Sequence, residues 1–293
     1  MTTAALAGAG PRGVSAPRGG WLVPALLLPI LLVNLVTFLA PVVNLAALSF
    51  RDALPGGAIG EGFSLSTWAS LLSDGFYWEV LLGTVGTALG ITLLTLLCSY
   101  PVALFVARLP PRWRNVMMVV CVSPLLVSAV VRTYGWLILL GDRGFVPGVI
   151  RSLGVEPPRL LFNEAGVVIG LTEILMPYMI LALLAGFGRL DRALEDAAST
   201  LGARPFTVFR RVVLPLSLPG LMLGCLLTFV LAVSSFITPK LLGGGRVVLL
   251  ATEIYDQAIV TLNWPLAAAL SVLVLVVFGA ALALYGQLSR LVD

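Results

Sequence analysis

An all-α, polytopic membrane protein with six transmembrane helices is the fold class this sequence predicts. Three observations carry that expectation. The chain is 59% hydrophobic and only 11% charged, against roughly 25% charged in a soluble domain. Its mean hydropathy is +1.05. Six apolar segments reach the roughly 20 residues that a bilayer core requires of a helix, and polar residues gather in the connections between them.

Taken in order, residues 1–20 are rich in Gly, Ala and Pro with Arg12 and Arg18, the composition of a disordered tail. The run Trp21–Leu48 exceeds the h-region of a cleaved signal peptide, about 7–15 residues. It reads as a first transmembrane helix broken up by Pro24, Pro29 and Pro41, followed by an external loop to residue 77. The remaining spans are Trp78–Ala107, Val116–Leu140, Ala165–Phe187, Val212–Ile237 and Trp264–Leu288, which with their connections make a core over 78–288. Pro101, Pro124 and Pro177 fall inside spans, where proline kinks a helix or frees carbonyls. Trp21, Trp68, Trp78, Trp136 and Trp264 lie near span ends and are expected as interfacial anchors. Gly86–Gly90, Gly166–Gly170 and Gly220–Gly224 have the spacing that lets helix backbones approach in lipid. Turn material in the external loops includes Pro55-Gly56-Gly57, Pro157-Pro158 and Gly243-Gly244-Gly245.

Charge orients the spans. The tail, Arg108, Arg112, Arg114, Arg189, Arg192, Arg204, Arg210, Arg211 and Arg290 put eleven basic residues on one side, against six on the other (Arg51, Arg143, Arg151, Arg159, Lys240, Arg246). The excess places both termini in the cytoplasm.

Several chemistries are excluded. The chain has no histidine, which removes histidine acid/base catalysis, Ser-His-Asp triads and histidine metal sites. Cys98, Cys121 and Cys225 lie in apolar segments without ligand spacing and read as small buried hydrophobes. Gly243–Gly245 is followed by Arg246-Val247, so it is no phosphate loop. Glu195 and Asp196 are adjacent on a helix, do not face each other and form no acid/base pair. No basic face interleaved with aromatics suggests nucleic acid. No catalytic residue, metal site or bound cofactor is expected.

The polar island Asp191–Arg211 stands between two long apolar segments. Asp191 can cap a short helix, with Glu195 and Asp196 in its first turns. Ala193, Leu194, Ala197, Ala198 and Leu201 supply a compact apolar face, and Gly202 ends the helix. Pro205 suits the first turn of a second short helix, with Arg210 and Arg211 toward its C-terminal end. Such an element either docks into a partner's cleft or lies on lipid headgroups.

The run Asp196-Ala197-Ala198, three residues, Gly202, nine residues, Val212-Val213-Leu214-Pro215 resembles the signature of permease subunits of type I ABC importers. That signature reads E-A-A, three residues, Gly, nine residues, I-x-L-P; Asp196 stands for its glutamate and Val212 for its isoleucine. The resemblance implies a MetI-like ABC permease fold over 78–288. It implies that Glu195, Asp196, Ala197, Ala198, Leu201, Gly202, Ala203 and Pro205 couple to a separate ATPase. The implied partners are an ATP-binding subunit dimer, which holds the ATP, a second permease subunit and an extracytoplasmic solute-binding protein, in the bacterial inner membrane. Two further runs, Val131-Arg132-Thr133-Tyr134-Gly135-Trp136 and Phe236-Ile237-Thr238-Pro239-Lys240-Leu241-Leu242-Gly243-Gly244, resemble the spermidine/putrescine branch. They imply a small polar or charged solute, a polyamine foremost, although Lys240 replaces the uncharged residue expected there.

Arg132 and Glu173 are ionisable groups inside spans, about 12 Å and 14 Å from the external ends at 1.5 Å per residue. Each costs about 2.5–3.5 kcal/mol near a helix centre when alone, so pairing or a wet cavity is expected. They line the transport path or its gate, or else form a structural pair. Ser234, Ser235 and Thr238 are further path candidates that can instead bond neighbouring helices. The competing class is an ion- or proton-coupled secondary transporter with Glu173 as proton carrier. It calls for inverted repeats and helices broken at mid-membrane, and no clear repeat is visible.

Overall fold

The computed structural model of the chain describes residues 22–189 and 191–290, so the tail 1–20, Trp21 and its proposed roles lie outside the described residues. The chain divides into two compact units, 1–45 and 46–293. Among the described residues every regular element is helical, apart from one isolated bridge between Ala53 and Ile59.

Helix α1, Leu22–Leu48, begins in the first unit and runs uninterrupted through Pro29 and Pro41. The expected breaks are absent. A proline forfeits one hydrogen bond locally without ending the helix, as membrane-spanning helices commonly tolerate. The Asn34 amide donates back to Ile30 O at 2.9 Å, so its polar end is satisfied within the helix.

In the second unit the chain turns at Gly56 and Gly57, both at positive φ. The Ser66 hydroxyl, and after it Ser64, holds the Asp52 carboxyl below its usual value. Helix α2 (Ser66–Ser73) follows, and the Trp68 indole donates to Ser49 Oγ at 3.2 Å. Asp74 caps α3, Gly75–Ala107, by accepting from Phe76 N at 2.9 Å. Its 33 residues make a helix of about 50 Å, longer than the roughly 30 Å hydrocarbon core.

The third span departs from expectation. Helix α4 (Pro111–Val122) ends in a tight turn over Ser123–Leu126, and α5 (Ala129–Leu140) leaves at 93° to the first part. Pro124 sits in that turn, where it lacks an N–H, and Val127 and Ser128 have extended ψ values of 133° and 136°. Among the described residues five helices are long and apolar enough to cross a membrane, and six if the bent pair counts as one span.

A short helix α6 (Phe145–Ser152) precedes α7, Glu164–Gly186, which Asn163 caps through Gly166 N at 3.0 Å. Helix α7 is the most buried of the spans. Beyond it come α8 (Arg192–Thr200), α9 (Pro205–Val208) and, through a wide π-turn Phe209–Val213, α10 (Leu214–Val233). The second short helix expected after Gly202 is therefore the start of the fifth span, continuous over Pro205–Val233. Arg210 and Arg211 sit in its π-turn rather than at a helix end. Helices α11 (Ile237–Leu242) and α12 (Leu250–Tyr255), a second π-turn Asp256–Val260 and α13 (Trp264–Ser289) complete the chain.

The core lies where α3, α7 and α10 meet. In lipid no hydrophobic force draws helices together, so close packing and interhelical hydrogen bonds must. A Cβ on Gly220 would stand 2.7 Å from Gly186 Cα, and one on Gly224 would strike Met179 and Ala182. Gly166 and Gly170 are likewise filled, by Leu160 O and Leu242, whereas Gly86 and Gly90 face open space. Toward α8, Ala103, Val106, Met179, Leu183 and Phe187 pack together; toward the far end Ile91, Val167, Leu171, Leu175, Val233 and Leu242 do so. Trp78 and Trp264 are exposed as interfacial anchors should be, but Trp136 packs against the core. Cys98 is exposed, contrary to expectation, and Cys121 and Cys225 are half-buried.

Gly220→Ala is expected to lower the thermal unfolding midpoint of the detergent-solubilised protein, because both nearest atoms are backbone and neither can turn aside. Overpacking of this kind costs about 1–3 kcal/mol. Gly86→Ala, in open space, is the matched control and should leave the midpoint unchanged.

Candidate coupling element and intramembrane polar site

Helix α8 has the termini that its sequence requires. Asp191 accepts from Ala193 N at 3.0 Å, a side-chain cap on an otherwise orphaned donor. At the other end Gly202 takes φ +81°, Gly202 N donates to Ser199 O at 3.0 Å and Ala203 N to Ala198 O at 3.1 Å. These two bonds define the Schellman stop. Pro205 then opens α9.

The solvent-facing surface of this element mixes polar residues with large apolar ones. Leu201 is 89% exposed, Phe206 73% and Leu194 48%. Ala193 and Ala197 are exposed beside them, while Ala198 and Ala203 are half-buried. Asp196 projects into solvent; Glu195 does not. Its carboxylate turns inward to Arg108 at the end of α3, with Nη2 to Oε2 at 2.6 Å. Of the adjacent acids, one ties α8 to the spans and the other is left at the surface. Behind the element, the Tyr100 hydroxyl lies 3.0 Å from Ser217 Oγ, and the rings of Phe187 and Phe209 stand edge-on to Tyr100 at 5.6 and 5.8 Å. Phe206 and Tyr100 went unmarked in the sequence, and Arg108 was read there only as a cytoplasmic loop charge. Phe206 had a signal, a large aromatic in an otherwise small and polar loop.

At mid-span, Arg132 and Glu173 meet as their depths suggested, Nη1 to Oε1 at 3.6 Å. The Trp136 indole donates to the other Glu173 oxygen at 3.1 Å. Arg132 is 12% exposed and Glu173 35%, and Arg132 Nε and Nη1 are buried without a hydrogen-bond partner. Arg132 lies one turn beyond the break in the third span. Thr238 is buried, and its hydroxyl lies 2.9 Å from that of Thr133, so it bonds a neighbouring helix. Ser234 is exposed and bonds Val230 O within its own helix; Ser235 is half-buried. A second polar group was not foreseen. Lys240 donates to both Asp256 oxygens, at 2.6 and 2.8 Å, and Glu253, buried on α12, accepts from Gln257 at 2.7 Å.

The structure is a bundle of apolar helices with a short, capped helix of small residues exposed between two spans. The chain belongs to the family of binding-protein-dependent transport system inner membrane components, whose profile matches residues 99–292. It is a transport component of the inner membrane and not an enzyme. It is 34% identical over 276 residues to the spermidine/putrescine transport system permease protein PotB of Escherichia coli K12, covering 94% of this chain and 96% of that one. PotB of Haemophilus influenzae is 31% identical over 275 residues, 93% of this chain and 92% of the relative. A bacterial alginate ABC transporter, solved in complex with a periplasmic protein bound to alginate pentasaccharide, matches with TM-score 0.72 at 16% identity, over 92% of this chain and 94% of that one. The helix broken at mid-span was the feature wanted for a secondary transporter, yet here it belongs to an importer permease.

Glu173→Gln is expected to destabilise more than the double replacement Arg132→Met with Glu173→Gln, because the single change leaves a buried cation without its counter-charge. Breaking a fully buried pair costs about 3–5 kcal/mol, whereas replacing both members is often nearly neutral; with Glu173 35% exposed, the loss here falls below that range. Thermal unfolding of the two variants in detergent checks the order. Equal losses would place the pair in a wet cavity.

Proposed function

We propose that this chain is the path-forming and coupling subunit of a polyamine importer, with spermidine or putrescine as solute. The single observation that carries the coupling role is the set of exposed apolar side chains on α8, its C-cap and the start of α9. The capped helix and the turn after it, which present Leu194, Leu201 and Phe206 to solvent, have apolar surface suited to burial in a cleft of another protein. The partner is an ATPase dimer on the cytoplasmic side, with both termini on that side as well. Glu195, Ala198 and Ala203 hold the element's shape, Asp196 and Leu201 meet the ATPase, and Gly202 and Pro205 set the turn between them. ATP is bound and hydrolysed by that partner, so this chain needs no cofactor.

The cycle follows from the geometry. Closure of the ATPase dimer displaces α8; Arg108 and the Tyr100–Ser217 contact pass that displacement to α3 and α10. The spans open outward, accept solute from the extracytoplasmic binding protein, and reset after hydrolysis. A second permease subunit completes the path. Arg132, Glu173, Ser234 and Ser235 stand at or beyond mid-span in this chain's share of it, with Thr238 as support. The polyamine assignment is supported by the spermidine/putrescine permeases of similar sequence. The acids Glu173 and Asp256 suit a cationic solute, and Arg132 is kept paired.

Leu201→Glu is expected to abolish co-purification of the ATPase with normal recovery of the permease, since Leu201 is 89% exposed and supports no packing. Gly202→Val, at φ +81°, should weaken co-purification and also cost about 1–2 kcal/mol of local strain. Undiminished ATPase recovery from Leu201→Glu overturns the docking role. For the solute, membrane vesicles with the whole importer should accumulate labelled spermidine or putrescine on ATP addition, and accumulation of neither overturns that assignment.

A further inference from the structure

Lys240 is the only lysine in the chain, and its surroundings have the composition of a receptor for an ammonium ion. Both Asp256 oxygens accept from its Nζ, at 2.6 and 2.8 Å. The same Nζ stands 5.6 Å from the centroid of the Tyr255 ring, inside the reach of a cation–π contact. Phe236 backs Tyr255, ring to ring at 4.6 Å and tilted by 32°. Asp256 is the first residue of a π-turn, a wide turn that recurs at functional sites. Carboxylate, aromatic face and hydrophobic backing together are how a protein holds a primary ammonium.

The pair is open to exchange. Lys240 is 35% exposed and Asp256 37%, so this chain's own packing seals neither. Lysine's four-carbon stem lets the ammonium swing away without moving α11, whose buried face is carried by Thr238, Pro239 and Leu242 instead. The neighbouring acid Glu253 is buried and engaged by Gln257, which leaves Asp256 as the accessible carboxylate of the group.

We propose that Asp256, Tyr255 and Phe236 form a binding site for a primary ammonium group, filled in this structure by the Lys240 side chain as a tethered stand-in that an arriving solute displaces. Lys240 keeps the site from standing empty and charged between turnovers, and its release reports that solute has arrived. The proposal takes the identity of the solute from the polyamine reading; the ammonium site itself rests on the side-chain geometry.

The test is equilibrium binding of labelled spermidine to the importer complex in lipid nanodiscs without the binding protein, repeated with propylammonium. Removing the tethered competitor with Lys240→Met should tighten spermidine binding about threefold or more, on the scale of a partly exposed ion pair. Adding Asp256→Asn should remove the gain. A Lys240→Met complex that assembles normally and binds no tighter than wild type overturns the proposal, as does a gain that survives Asp256→Asn. Tyr255→Leu leaves the ion pair in place and guards against misassembly of the lysine variant. It should weaken spermidine binding about two- to fivefold, and unchanged affinity overturns the proposal. If spermidine binds to no variant, the polyamine reading fails separately. The Lys240→Met gain is then still expected for propylammonium, and its absence with both cations sinks the ammonium site.

Discussion

The near-contact of two backbones, α7 and α10 at Gly186 and Gly220, is the constraint on which the rest of the bundle depends. Lipid tails are as apolar as leucine, so burying side chains against one another yields little in a bilayer, and proximity must supply the attraction. Gly220 allows an approach that any Cβ would forbid. One turn away Ser217 meets Tyr100 of α3, and one turn in the other direction Gly224 admits Met179. Three helices are thereby locked along one line. The far-end elements follow, since Leu242 of α11 fills the space beside Gly170 and Leu250 N donates to Thr84 of α3 at 2.9 Å.

Against this dry frame the polar groups divide by partner. Thr84, Thr92 and Thr133 return their hydroxyls to carbonyls four residues back, which satisfies them inside one helix. Arg132 has no such recourse, and Glu173 at 3.6 Å with Trp136 behind it is what permits a guanidinium at that depth. The break at Val127–Ser128 lies one turn away, so the most polar part of the span coincides with its interrupted backbone. Irregular backbone at membrane depth is tolerated where it is buried in protein or lines a water-filled cavity.

Much of the fold was legible because membrane helices advertise themselves by length and composition. Four of six spans fall within a few residues of their expected bounds, the fifth begins at Pro205 rather than Val212, and both caps of α8 follow from Asp191 and Gly202. The misses share a cause: each depended on what a residue meets, which no local pattern encodes. Pro29 and Pro41 sit in an unbroken helix, while Pro124, with Val127 and Ser128 extended beyond it, sits in a 93° bend. Gly86–Gly90 and Gly220–Gly224 have the same spacing, yet only the second packs. Glu195 and Asp196 are neighbours in sequence, and their division into an inward tether and an outward charge required Arg108, 87 residues away. The Lys240–Asp256 pair was hidden for the same reason, with Lys240 visible only as an oddity.

The π-turn at Phe209–Val213 carries a mechanical consequence. It lets the chain pass from Pro205 to Val233 as one rod, and the tight contact at Gly220 falls near the middle of it. With 15 residues on one side and 13 on the other, the arms are about 22 and 20 Å. A rod pinned at such a fulcrum see-saws with a ratio close to one. A sideways push of a few ångströms at Pro205 emerges with nearly equal size and opposite sense at Ser234, beside Phe236 and the aromatic pair. Thus no amplification is needed for a small movement at one membrane face to become a matching movement at the other.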